Sequence, residues 1–308
     1  MSEEPSNDAE RGPPAVTARV KAEAARQLSL PLAPGLYIVS TPIGHLADIT
    51  LRAIATLANA DVVYCEDTRH SRTLLAHYAI RTTLRPYHEH NADEQRPRIL
   101  QELADGRSVA LISDAGTPLV SDPGFKLVRA CAEDGHRVIA IPGPSASLTA
   151  LTVAGLPTDA FFFAGFLPAK EKARRTRLSE LAAVPATLVF FEAPTRAGAA
   201  LADLASSLGN RDAALARELT KLHEDVRRGP LADLARIFET DPPKGEVVIV
   251  VAPPQAGEVS DAMIEAQLTP ALENLSLRDA SRTVAETLNV PRGRVYEMAL
   301  VLKRRGPD

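Results

Sequence analysis

The 308-residue chain carries 35 Lys and Arg against 39 Asp and Glu, a formal net charge of −4, with 45% hydrophobic and 24% charged residues. These proportions exclude a fibrous chain, a disulfide scaffold and a wholly disordered polypeptide, and the length suits about two domains. Cys65 and Cys131 form no CxxC pair, the absence of Trp leaves a mainly aliphatic core, and no run of 18 apolar residues predicts a membrane span.

Residues 1–34 are acidic at first, contain Pro5, Pro13, Pro14, Pro31 and Pro34, and lack the apolar stretch of a signal peptide; a flexible N-terminal extension is expected. Gly35 opens the apolar run GLYIVS, a β-strand, which leads into the polar loop TPIGHLADIT at 41–50. Thr50 is placed to cap a helix carrying Leu51, Ile54 and Leu57. DVVYCED reads as a second strand, followed by helical spacing from Ser71 to Tyr78 and another helix over 93–105. SVALISD is the next strand and flows into AGTPLVSDPG, where Asp122 and Pro123 read as N-cap and N1 of a helix containing Leu127 and Val128. After Gly135, RVIAIPG returns as a strand. Alternating helices and nearly continuous apolar strands predict a parallel sheet covered on both faces over 35–143.

FFFAGFLP, TLVFFEAP, AALARELT and EVVIVVAP are four strand candidates of a second α/β subdomain over 144–252, with a mixed sheet. APPQAGE reads as a linker, and 260–308 as a helical module in which LRDASRTVAETL, NVPRG and RVYEMALVLKRR resemble a helix–turn–helix. Its Leu275, Leu277, Val284, Leu288, Val295, Met298 and Leu302 are expected to bury one apolar stripe, leaving Arg292, Arg294, Lys303, Arg304 and Arg305 for solvent or RNA.

Three polar loops follow three strands and fall on one sheet edge, where open α/β sheets bind ligands: 41–50, EDTR at 66–69 and SDAGTPLVSDPG at 113–124. In the last, Gly116 allows close backbone approach and Asp114 accepts hydrogen bonds. Glu66, Asp67 and Arg69 form either a functional charge cluster or a structural ion pair fixing the strand–helix turn. His88 and His90 lack a third metal ligand, so no metal is expected. Glu192 is either catalytic or an anion at a helix N-terminus. KEKARRTR at 170–177 and the basic C-terminal helix are solvated faces or phosphate contacts. GxGxxG, GxxxxGK[ST], GxSxG and HExxH are all absent.

LYIVSTPIGHLADIT, CEDTR, YHEHN, LISDAGTPLVSDPG, IPGPSA, GFLPAK and FFEAPTR occur in this order. The ordered set, spanning about 35–305, resembles the ribosomal RNA small subunit methyltransferase I family of the tetrapyrrole methylase superfamily, except that His45 stands where that family usually has Asn. The resemblance implies two α/β subdomains with a small C-terminal helical module, in a cytoplasmic homodimer without membrane association. It implies S-adenosylmethionine-dependent 2′-O-methylation of a cytidine in the decoding region, with 16S rRNA or the small ribosomal subunit as partner. Donor contacts carried over by motif are Pro42, Asp114, Ala115, Thr117, Ser145 and Ala146, with Glu192, Ala193 and Gly245 behind them. Methyl transfer from a sulfonium needs no metal but needs the ribose oxygen aligned and deprotonated. Asp67, Glu66, His90 and Glu192 are the candidates for that base, and Arg69 either positions a phosphate or fixes Asp67. Two other activities share such a core: methylation of a tetrapyrrole, against which the basic segments and helical tail argue, and non-catalytic RNA binding during subunit assembly.

Overall fold

The first five strands are short, and three of them are buried along their whole length or nearly so. In a computed structural model, which describes residues 12–254, 261–288 and 290–305, these are β1 (Gly35–Val39), β2 (Val62–Cys65) and β4 (Ser108–Ile112). With β3 (Leu84–Pro86) and β5 (Val138–Ile141) they form an all-parallel sheet in the order β3-β2-β4-β1-β5. Alternate side chains serve opposite faces. Tyr37, Val39, Val63, Cys65, Ala110 and Ile112 pack with Ala53 and Leu57 of helix α2 (Leu51–Asn59). Leu36, Tyr64, Val109 and Leu111 pack with Ile99 of α4 (Ala92–Ala104) and Leu127 of α5 (Phe125–Glu133). Strands buried on both faces favour apolar residues along their length, which is why they read as nearly continuous runs; the buried Ser108 at the start of β4 is satisfied by the Asp61 carboxylate (2.7 Å).

The second half is a mixed sheet of β6 (Phe161–Phe166), β7 (Thr187–Glu192), β8 (Asp212–Arg217), β9 (Asp225–Pro230) and β10 (Val247–Val251), in the order β6-β7-β10-β8-β9. Only β6 and β7 pair in parallel. One face packs Leu188, Phe190, Leu215 and Ile249 against α7 (Glu171–Leu181), α8 (Ala197–Leu208) and α9 (Leu231–Thr240). Val189, Ala214, Val248 and Val250 on the other face meet Ala150 and Leu151 of α6 (Ala146–Ala154). Ile43, from the loop after β1, inserts into this same cluster, so both halves belong to one unit, Met1–Pro253.

Residues Pro254–Asp308 make a second unit. Its helices α10 (Asp261–Asn274), α11 (Leu277–Leu288) and α12 (Arg292–Arg305) enclose Ile264, Leu268, Ala280, Val284, Val295 and Ala299. The Ser276 hydroxyl accepts from the Asp279 amide (3.2 Å) and caps α11. Leu277, Leu288, Met298 and Leu302 join this core as expected, but Leu275 stands 44% exposed in the turn before α11. Residues 255–260 of the expected linker lie outside the described residues.

The structure departs from the sequence reading elsewhere. Within the supposed flexible extension, Pro13–Ser29 forms helix α1, started by prolines at its first positions. The Asn59 side-chain amide holds its end by donating to the carbonyls of Leu28 (2.9 Å) and Leu30 (3.0 Å). Helix α3 (Thr68–His77) begins three residues before Ser71. Helix α5 starts after Gly124, not at Asp122–Pro123, because Gly124 sits at φ 140° and breaks the helical run. β3 and β9 were not anticipated: one has three residues, the other is a polar edge strand, DVRRGP.

Candidate functional site

β2, β4 and β1 are parallel neighbours, so the loops that follow them meet at one edge of the sheet. Hydrogen bonds lock them together. Thr41 and Gly116 exchange two backbone bonds (2.8 and 3.0 Å). The hydroxyls of Ser40 and Thr117 lie 3.1 Å apart, and Thr117 also donates to the Pro144 carbonyl (3.0 Å). Asp114 Oδ1 accepts from the Asp67 amide (3.0 Å). Gly116 adopts φ 76°, which glycine tolerates, but Leu119 (φ 72°) and Ser121 (φ 69°) also occupy the left-handed region. Such conformations cost about 1–3 kcal/mol each and concentrate at functional sites.

Against this edge opens a cavity of about 360 Å³, within the usual range for small-molecule sites. The 113–124 loop supplies Ala115, Thr117, Val120 and Asp122, and the start of α6 supplies Ser145 and Ala146. Opposite them stand Phe166 at the end of β6, Phe191, Glu192 and Ala193 at the end of β7, and Gly245 to Val248. Gly245 is at φ 83°, and a Cβ there would collide with the Glu218 carboxylate, which accepts from the Glu246 amide (3.0 Å) and Lys221 Nζ (2.9 Å). A second cavity of about 250 Å³ shares Ile43, Ala115 and Glu246 and is lined by Pro42 and Asp114.

Of the residues expected at the donor, Ala115, Thr117, Ser145, Ala146, Glu192, Ala193 and Gly245 line the larger cavity, while Pro42 and Asp114 line only the adjoining one. Glu192 stands out. Its side chain is 1% exposed; Oε1 meets Arg196 Nη2 (2.6 Å) and the Ala193 amide (2.7 Å), while Oε2 is buried with no partner. A buried carboxylate oxygen without a donor is costly. His45 accepts from the Ala47 amide through Nδ1 (3.2 Å), capping the short turn Leu46–Asp48. Asn is equally suited to that task, so the departure at this position is accommodated locally.

None of the other four residues expected to be catalytic lines either cavity. Asp67 is the N-cap of α3: Oδ1 accepts from the Arg69 amide (2.8 Å) and Oδ2 pairs with Arg69 Nη2 (3.0 Å). Arg69 therefore holds the Asp67 carboxyl down to about 2, while its own side chain is 88% exposed. Geometry thus favours the structural account of EDTR, with α3 starting at the residue after Asp67. His90 is exposed, 6.0 Å from the His88 ring. Glu66 is partly buried, and burial followed by the Asp114 charge raises its pKa. Asp122, which the sequence places as a helix N-cap, instead lines the larger cavity. Burial, then the charges of Glu66 and Asp114, push its carboxyl up to about 6. As the second aspartate of SDAGTPLVSDPG it is visible in the sequence, where helix capping accounts for it.

Within the basic run 170–177 one residue is structural and the others stay at the surface. Arg174 is buried and pairs with Asp203 (2.6 Å), Arg175 bonds the same carboxylate (2.8 Å), and Arg177 meets Glu180 (2.9 Å). In the second unit Arg278, Arg292, Gly293 and Tyr296 line an open groove. No helix among the described residues is long and apolar enough to cross a membrane.

Comparison with known proteins follows the same division of the chain. Residues 35–235 match the tetrapyrrole (corrin/porphyrin) methylases, and residues 258–303 match the RsmI C-terminal HTH domain. The chain is 52% identical to ribosomal RNA small subunit methyltransferase I of Mesorhizobium japonicum, over 89% of this chain and 94% of that protein. It is 44% identical to the protein of the same name from Escherichia coli O157:H7, over 86% and 94%. Among solved structures, diphthine synthase matches with TM-score 0.54 and 19% identity over 70% of this chain and 89% of that one. Uroporphyrin-III-C-methyltransferase from Thermus thermophilus matches with TM-score 0.51 and 23% identity over 70% and 94%. Identity this low carries the fold only, but the identity to the bacterial relatives is extensive along nearly their whole length. The chain belongs to the tetrapyrrole methylase family, in its ribosomal RNA small subunit methyltransferase I branch.

Proposed function

We propose that this chain is an S-adenosylmethionine-dependent methyltransferase that modifies the 2′-hydroxyl of a cytidine in the decoding region of 16S rRNA. It acts in the cytoplasm, as a homodimer, on 16S rRNA or the small ribosomal subunit. The observation that carries the donor assignment is the cavity of about 360 Å³ itself, which gathers Ala115, Thr117, Ser145, Ala146, Glu192, Ala193 and Gly245 from separate loops around one space. S-adenosylmethionine offers an adenine that suits the apolar wall of Ile43, Val120, Phe191 and Val248. When bound, it supplies a methyl group already activated on a sulfonium.

The remaining work falls to the chain's own residues. Thr117, braced between Ser40 and Pro144, and Gly116, bridged to Thr41, fix the loop against which the donor lies. Ala146 and Ser145 at the start of α6, with Ala193 and Gly245 opposite, close the cavity with small side chains that admit a ligand near the backbone. Fixed geometry is the main contribution to an in-line displacement.

The RNA assignment draws on the names of the relatives and on the second unit. The tetrapyrrole and diphthine methylase structures cover 70% of this chain, whereas the second unit, with Arg278, Arg292 and Tyr296 on one groove, has a family match of its own at 258–303. A basic groove with an exposed aromatic ring suits phosphates and unstacked bases. The test is transfer of labelled methyl from S-adenosylmethionine to small subunits isolated from cells lacking the enzyme, with a tetrapyrrole as the competing acceptor. Label in the tetrapyrrole alone refutes the proposal.

A further inference from the structure

A ribose hydroxyl loses its proton when it is methylated, and it is too weak an acid to do so unaided at neutral pH. The acceptor must stand on the wall of the donor cavity and must not already be committed to another partner. Four of the carboxylates near the edge fail one of these conditions. Glu192 is committed through Oε1 to Arg196 and to the Ala193 amide. Asp67 is engaged by Arg69 as the cap of α3. Asp114 holds the Asp67 amide and borders only the adjoining cavity, and Glu66 reaches neither.

Asp122 meets both conditions. It lines the cavity, and among the described residues no basic side chain pairs with it. The charged groups facing it, Glu66 after β2 and Asp114 after β4, are acidic. The acids sharing the cavity from the second sheet are Glu192, neutralised by Arg196, and Glu246, which Lys221 meets at 3.3 Å. The backbone that presents Asp122 is unusual: Leu119 and Ser121 hold positive φ just before it, and Gly124 (φ 140°) ends the segment before α5. Strain of this kind persists where surrounding structure imposes it.

We propose that Asp122 is the general base that accepts the 2′-hydroxyl proton during methyl transfer, an inference that rests on the ribose-methylation reading above. The O–H bond breaks as its proton passes to the Asp122 carboxylate, and an oxygen electron pair forms the new O–CH3 bond. The electron pair of the S–CH3 bond remains on sulfur, leaving S-adenosylhomocysteine and a protonated Asp122 that returns its proton to water. No oxidant, reductant or metal enters this balance.

The experiment compares the full-length protein with its Asp122→Asn variant in four measurements. Wild type is first assayed on small subunits lacking the modification, with nucleoside analysis of the product. Turnover is then followed from pH 5 to 8. Binding of S-adenosylhomocysteine is measured by calorimetry, and 13C NMR of aspartate-labelled resting protein follows carboxyl titration. We expect wild-type turnover to rise through pH about 6 and level off. In the variant, turnover falls by about 100-fold or more, the usual contribution of a general base, and loses this inflection. We expect S-adenosylhomocysteine affinity to stay within about threefold, while the carboxyl signal titrating near 6 disappears. A variant that keeps wild-type turnover and the same pH profile overturns the assignment of Asp122, with the ribose reading intact. Loss of affinity that accounts for the whole loss of turnover overturns it too, because Asp122 would then hold the donor. Wild type that yields no ribose-methylated nucleoside overturns the functional reading itself.

Discussion

Replacing Glu192 by Gln tests the donor cavity at its most committed point. The substitution keeps volume and one acceptor oxygen but removes the charge. In the wild type, Oε1 is satisfied by Arg196 and the Ala193 amide while Oε2 is buried without a partner, and Oε2 is the oxygen assigned to the bound ligand, which must open it to the cavity on binding. A hydrogen bond to a charged group contributes about 1.5–3 kcal/mol. At 1.4 kcal/mol per tenfold, the variant should bind S-adenosylmethionine or S-adenosylhomocysteine about 10- to 150-fold more weakly. Its effect on stability should be smaller, because Arg196 is 31% exposed and can turn its guanidinium toward water. The reverse change, Arg196→Ala, strands a carboxylate that is 1% exposed and should destabilise the fold by about 3–5 kcal/mol. Calorimetry with S-adenosylhomocysteine, together with denaturant unfolding of both variants, separates the two effects. A folded Glu192→Gln protein with wild-type affinity refutes the reasoning.

Other consequences follow from the same structure. Because the folded state raises the Asp122 pKa to about 6 from 3.8, its stabilising contribution is complete below pH about 4 and is lost as pH rises through about 6. Between pH 4 and 7 the wild type should lose on the order of 1–2 kcal/mol relative to Asp122→Asn, the full shift being reduced by solvent screening at this partly exposed site, measured by urea unfolding; parallel stability curves would contradict this. Arg174→Ala removes the buried partner of Asp203 and should cost about 3–5 kcal/mol, whereas Lys172→Ala should change stability by less than about 0.5 kcal/mol, both read from denaturant midpoints. Truncation after Pro254 should leave S-adenosylhomocysteine affinity intact and weaken small-subunit binding. The salt slope should also become shallower, by about 0.7–0.9 for each lost phosphate contact, and equal slopes would remove the second unit from the RNA interface.

The parallel sheet was legible because β1, β2 and β4 are buried on both faces and so are apolar runs, Ser108 at the start of β4 excepted. The convergence of three loops followed from strands that run in one direction, which puts their ends on a common edge. What escaped reading was set by tertiary context. The edge strand β9, with Arg227 and Arg228 in its middle, has no apolar alternation, and β3 is too short to show one. Helix α3 starts at Thr68 because Asp67 caps it with both its own turn and Arg69, so EDTR carries a structural duty that its charges disguised. Conversely, Asp122 looked like a helix cap. Only the positive φ of its neighbours and the start of α5 after Gly124 reveal that it lies on the cavity wall. In 170–177, Arg174 turns inward to Asp203 of α8, which the more exposed Arg175 also reaches, a pairing that no local pattern announces.

The central claim is that this cavity delivers a methyl group to a ribose oxygen of small-subunit rRNA. The direct measurement is mass spectrometry of nucleosides and of nuclease fragments from small subunits lacking the modification, before and after incubation with the protein and S-adenosylmethionine. The account predicts a single new 2′-O-methylcytidine, in a fragment from the decoding region. A methyl group on a base, or no new methylated nucleoside from a protein that binds S-adenosylmethionine, would contradict it.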